Sequence, residues 1–140
     1  MDTTFFSNIN WLAVLVAAIA YFALGALWYS PLFGKQWVQY QKIDMNHPDA
    51  KKGVGGIMFG SFILMLVATI GLAILVARIP LSGGVMSGLK LGLLTGLFFS
   101  ATAISINYLY TKKPMGLHFI DGLYHVAGQI VAAIILCIWR

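Results

Sequence analysis

Four stretches of this chain each run for more than 20 residues with almost no charge: residues 9–29, 54–77, 85–110 and 117–139. A hydrocarbon core about 30 Å thick is crossed by about 20 apolar residues rising 1.5 Å each. In lipid every backbone N–H and C=O must be satisfied within the protein, so a spanning segment is a helix or part of a closed barrel. Barrel strands alternate strictly over about ten residues, whereas these runs are continuous and twice as long. The expectation is an all-α membrane protein, one domain over residues 1–140, with four transmembrane helices in a bundle.

Composition agrees. The 140 residues are 60% hydrophobic and only 9% charged, against about 25% charged in an ordinary soluble domain. That excludes a water-soluble globule and a disordered chain. The net charge of +5 has too little chain outside the bilayer to form a nucleic-acid-binding face, so no nucleic-acid partner is expected. Cys137 is the single cysteine, which excludes a disulfide framework and a cysteine-based zinc site; buried in a span it reads as a small packing residue.

The first run contains Ala18-Ile19-Ala20, which resembles a signal-peptidase site, but a signal begins with positive charge. Residues 1–8 carry only Asp2, so an uncleaved helix is expected. Lysine and arginine set the orientation. Lys35, Lys42, Lys51 and Lys52 lie in the first loop and Lys112 and Lys113 in the third, against Arg78, Arg140 and Lys90 on the other side. The first and third loops are therefore expected in the cytoplasm, with both termini outside. Lys90 is near enough to the outer edge to snorkel.

After Pro31 the first loop places Phe33, Trp37 and Tyr40 on one helical face, with Lys35, Gln36, Gln39 and Lys42 elsewhere. The pattern predicts an amphipathic interfacial helix over about 32–43, anchored with Trp28 and Tyr29 in the aromatic belt. The alternative is a lid over the cytoplasmic end of the bundle. Asn46-His47-Pro48-Asp49 reads as a turn, with His47 a solvated residue of it. In the third run Gly84, Gly88, Gly92, Gly96 and Ser100 recur every four residues, and the second adds Gly56 and Gly60. Close approach through small residues drives helix association in lipid. The face predicts tight packing and a homo-oligomer, and Gly92→Leu should disrupt whichever contact it makes.

The fourth run carries the residues on which chemistry can rest. His118, Asp121, His125 and Gln129 share one helical face, with Asn107, Ser105 and Tyr108 at similar depth. An aspartate within a span costs about 2.5–3.5 kcal/mol on insertion scales, so it should face protein or water. Three readings compete: a hydrogen-bonded lock, in which Asp121 pairs with a histidine and with Asn107 or a tyrosine; a proton or ion relay; and a two-histidine, one-carboxylate metal site. The third suffers because His118 and His125 stand about 10.5 Å apart along the axis. No metal or other cofactor is expected, and no enzyme signature appears: no serine elbow, no zinc-protease motif, no phosphate loop.

The run Ala26-Leu27-Trp28-Tyr29-Ser30-Pro31-Leu32-Phe33-Gly34-Lys35-Gln36-Trp37 resembles the signature of a family of small bacterial four-helix membrane proteins classed as a domain of unknown function. Span number, length and the closing Trp139 extend the likeness over the chain. The resemblance implies the bacterial cytoplasmic membrane and supplies no activity. Two functions stand: a structural or accessory bundle held by buried polar groups, or an oligomeric proton, ion or small-solute transporter using the polar face of the fourth helix. Four short helices can hardly enclose a pore alone, so transport requires at least a dimer.

Overall fold

Asn10 opens the first spanning helix. Its side-chain oxygen accepts the Ala13 amide at 3.1 Å, and its side-chain nitrogen donates to the Trp139 carbonyl at 3.2 Å. One residue thus caps the first long helix and ties it to the far end of the last. Asn10→Ala is expected to lower stability by about 1–2 kcal/mol, the upper part of the range for a lost N-cap, read as the Tm in detergent. An unchanged Tm would mean that neither bond holds that end together.

The computed structural model describes residues 3–140, with Phe5 by its backbone alone; Asp2, the charge before the first span, lies outside the described residues. The long elements are α1 (Trp11–Leu27), α2 (Gly34–Gln41), α3 (Val54–Arg78), α4 (Gly84–Thr95), α5 (Thr102–Tyr110) and α6 (Met115–Ile138), after a short 3-10 turn at Thr4–Asn8. Among the described residues there is no strand. Four helical segments are long and apolar enough to cross a membrane: Trp11–Leu32, α3, Gly84–Tyr110 and α6. The protein is an all-α membrane bundle.

Two of these segments contain a widened, π-type turn. The first, Trp28–Leu32, lets the helix continue to Leu32, past the sequence-based limit at Tyr29. Proline has no N–H and its ring clashes with the carbonyl four residues back. Around Pro31 the chain therefore widens by one residue, and the Phe33 amide donates to the Trp28 carbonyl at 2.8 Å. The second, Gly96–Ala101, joins α4 to α5 within one span.

Helix α6 is the axis of the fold. Its most apolar window is 56% buried, against 17–28% in the other spans. Around it the core gathers Ala13, Val14 and Ala17 of α1, Leu72, Ala73 and Val76 of α3, Leu91 of α4, and Ala132, Ala133, Leu136 and Cys137 of α6 itself. The outward positions stay apolar: Leu12, Phe59, Leu64, Phe98 and Leu109 are all exposed, as lipid contact requires.

The glycine face of the third span meets α6 of the same chain. A Cβ at Gly88 would stand 2.6 Å from the Ile134 nitrogen, one at Gly92 2.6 Å from the Gln129 carbonyl oxygen, and one at Gly96 2.6 Å from Val126 Cα. This corrects the expectation of a homo-oligomer through that face: a second protomer cannot reach glycines already covered by α6. Gly84 begins α4 with φ +77° and, like Gly56 and Gly60 on α3, has nothing within 4 Å of an added Cβ, so these three pack against no part of the chain. The buried positions of α3 are Thr69, Leu72, Ala73 and Val76, all in its second half.

Candidate functional site

Six residues after Met115, Asp121 is turned into the protein and buried, 6% exposed. Its two carboxylate oxygens each accept a phenol: Tyr29 donates to Oδ1 at 2.5 Å and Tyr108 donates to Oδ2. Tyr29 comes from the widened turn after α1, and Tyr108 from the last turn of α5. The carboxylate is thus held by side chains from two other spans, which offsets the cost of taking it out of water.

The next rung, one turn deeper, is His125, whose Nδ1 is 2.5 Å from the Tyr21 hydroxyl; which of the two donates depends on the imidazole tautomer. One turn further, the Gln129 side-chain amide donates to Ser100 Oγ. Ser100 lies in the second widened turn. The first widened turn therefore delivers Tyr29 to Asp121 and Trp28 to the Ile120 carbonyl, and the second delivers Ser100 to Gln129. Such turns shift the phase of a helix by one residue, so a side chain after the turn faces a different neighbour from the one regular winding would give it.

Tyr124 fills the centre of the cluster on the adjacent side of α6. Its hydroxyl donates to the Tyr21 carbonyl at 3.0 Å, and its ring lies 5.1 Å from that of Tyr29 and 4.9 Å from that of His125. Trp28 Nε1 donates to the Ile120 carbonyl at 3.0 Å. Among the described residues no buried side-chain nitrogen or oxygen lacks a partner.

The short helix α2 closes this end. Phe33 packs tilted against Trp28 at 4.9 Å and Trp37 meets Tyr29 edge-on at 5.7 Å. Tyr40 covers Gly116, where an added Cβ would stand 2.8 Å from the Tyr40 hydroxyl. Lys113 Nζ donates to Gln41 at 3.0 Å. Gly34, between turn and helix, has no room for a side chain: a Cβ would stand 2.6 Å from the Tyr29 carbonyl oxygen. The run from Trp28 to Trp37 is thus one device, in which Pro31 widens the turn, Tyr29 reaches Asp121, and Gly34 lets α2 fold back over both.

The sequence-based site residues divide accordingly. Asp121, His125 and Gln129 are joined to partners on other spans. Asn107 is exposed and stands apart from the cluster; the hydroxyl of its neighbour Tyr108 takes the place assigned to it. Neither histidine bonds Asp121. His118, half-buried, meets Tyr108 edge-on at 5.5 Å and makes no hydrogen bond within the described residues. His47 keeps its turn, with Nδ1 accepting the Asp49 amide at 3.1 Å. Tyr108 is the tyrosine expected as an alternative partner of Asp121, whereas Tyr21 and Tyr124 carry contacts that periodicity did not single out. A tyrosine in mid-span is itself a signal, because a buried hydroxyl needs a partner. Among the described residues no three His, Cys, Asp or Glu side chains are grouped as a metal would need.

Compared with known proteins, residues 12–137 match the model of the family described as "Protein of unknown function (DUF1761)". No curated protein and no solved structure matches the chain.

Proposed function

The chain belongs to the DUF1761 family, whose description assigns no activity, and on its own geometry we propose that it acts as a structural or accessory membrane bundle rather than an enzyme. The observation that carries this is the closure of every rung from Asp121 inward by a side chain of another span. Interhelical hydrogen bonds in lipid contribute roughly 0.6–1.7 kcal/mol each, and a carboxylate accepting two phenols belongs at the upper end. The polar face of α6 then serves to lock α1, α5 and α6 in one rotational register. Lysine placement supports a cytoplasmic first and third loop, and the resemblance supports a bacterial cytoplasmic membrane.

The test is the stability of Asp121→Asn in detergent. The amide keeps the shape but loses the charge that strengthens both phenol bonds, so a cost of about 1–3 kcal/mol is expected, several degrees of Tm for a chain of this size. An unchanged or higher Tm would overturn the reading, since it would mean that the carboxylate is kept at the fold's expense, as functional groups are.

One observation favours a second reading, a proton or ion relay. Asp121, His125 and Gln129 descend about 12 Å into the bundle by helical rise, and the Tyr124 ring lies between Tyr29, which donates to Asp121, and His125. Transport by so small a bundle requires at least a dimer. With Gly88, Gly92 and Gly96 covered, the outward Gly56 and Gly60 of α3 supply the close-packing face for one. Proton uptake by liposomes holding the wild type, abolished by Asp121→Asn without loss of Tm, would favour this reading over the first.

A further inference from the structure

Beyond the widened turn at Gly96–Ala101, α5 leaves the tight contact that α4 makes with α6, and a lipid-facing groove opens between α5 and α6. Ala101, Ser105 and Gly122 are small and leave room, while Leu97 and Val126 close the inner end and Met115 and Leu109 stand at the outer end. The groove has a volume of about 390 Å³. From Met115 to Val126 it runs about 16 Å by helical rise, which is one leaflet of a core about 30 Å thick. Spread over that length, the volume is a channel about 5–6 Å across, half the width of a helix. That is about the width of one hydrocarbon chain.

The head of the groove has its own chemistry. His118 lines it, and His118 is the one residue of the α6 polar face that makes no hydrogen bond among the described residues. The turn that joins the two walls carries Lys112, exposed, in a left-handed conformation with φ 54°. Its amide donates to the Leu109 carbonyl at 3.3 Å, and that of Lys113 to the Tyr108 carbonyl at 2.9 Å. This is the Schellman closure of a helix, so the turn is fixed at the groove's mouth. An apolar channel one leaflet deep, headed by a cation and an open imidazole, matches the two halves of an anionic phospholipid, and basic sites between spanning helices hold such headgroups.

We propose that the α5–α6 groove binds one acyl chain of an anionic phospholipid, with the headgroup phosphate held by Lys112 and His118. The probe is phosphatidylglycerol, compared with phosphatidylcholine of the same chains and with inorganic phosphate, added to the full chain in detergent. Native mass spectrometry is expected to retain one phosphatidylglycerol per monomer, and the Tm to rise with it, much less with phosphatidylcholine and not with phosphate. Ser105→Phe, which fills the channel from its lipid-facing side, should lower phosphatidylglycerol affinity at least tenfold. So should the pair Lys112→Asn with His118→Gln; asparagine tolerates the left-handed turn, and because His118 packs edge-on against Tyr108, which holds Asp121, the Tm gain of the pair is read from its own unliganded Tm. Equal retention of the two lipids, retention that survives both variants, or a Tm gain that accompanies dimer formation would each overturn the proposal.

Discussion

Gly92→Leu is expected to abolish the four-helix fold in mild detergent, at a cost of at least about 3 kcal/mol, beyond the usual range for overpacking. Overpacked cores ordinarily relax by moving side chains. At Gly92 the atoms in the way are backbone: an added Cβ would meet Ile130 Cα, with the Gln129 carbonyl oxygen and the Ile130 nitrogen 2.6 Å off. Relief requires separating α4 from α6, which exposes Leu91 and Ala133 and pulls Ser100 away from Gln129. The contrast is Gly60→Ala, on the open face of α3 with nothing within 4 Å. There the same kind of change should be neutral or gain up to about 1 kcal/mol from helix propensity. Thermal unfolding of both variants as monomers decides the matter. If Gly92→Leu unfolds like wild type once monomeric, the glycine face lies between protomers and the packing described above is wrong.

The second large effect is expected at Gly128→Ala. Tyr21 is 1% exposed, and the Cδ2–Cε2 edge of its ring lies against Gly128, so that even a methyl group there falls inside the ring's contact distance, 3.0 Å from Cζ and nearer to that edge. The ring has to leave, and with it goes the bond to His125 Nδ1. Overpacking together with a broken polar pair should cost about 2–4 kcal/mol. The diagnosis is checked by a double-mutant cycle: on a Tyr21→Ala background, Gly128→Ala should cost less than about 1 kcal/mol, because the clashing ring is gone. Additive effects would show that Tyr21 and Gly128 do not share the contact.

How much of this is legible without coordinates depends on the range of the interaction. Asp121, His125 and Gln129 lie on one face because 3.6 residues make a turn, and that follows from spacing alone. Of the partners weighed for Asp121, Asn107 or a tyrosine, the structure takes the tyrosine. Tyr108, next to Asn107, points at Asp121, since the widened turn at Gly96–Ala101 changes the phase of everything after it in the span. Nothing local announces that turn, as no proline marks it. The one at Trp28–Leu32 does have its proline, which reads as a helix end because the alternative, continuing through a wide turn, is decided by what Tyr29 and Trp28 find on α6. The aromatics of α2 read as an interfacial anchor or as a lid over the bundle end, and which residues they touch came only from the structure: Phe33, Trp37 and Tyr40 rest on Trp28, Tyr29 and Gly116.

By itself the sequence determined the solvent of this protein and the count of its crossings, because apolar length against bilayer thickness is a one-dimensional comparison. It also determined which side chains share the polar face of α6 and that the third span has a face able to pack closely. The tertiary structure alone decided what those faces meet: that Gly88, Gly92 and Gly96 close on α6 and not on a second protomer, that Tyr29 and Tyr108 hold Asp121, and that His118 is left open at the head of a groove. Periodicity places a residue on a helix, but lipid is equally apolar in every direction around it. The rotation of each helix is therefore chosen by packing and hydrogen bonds between residues on different spans, 29 positions apart for Ser100 and Gln129 and 104 for Tyr21 and His125.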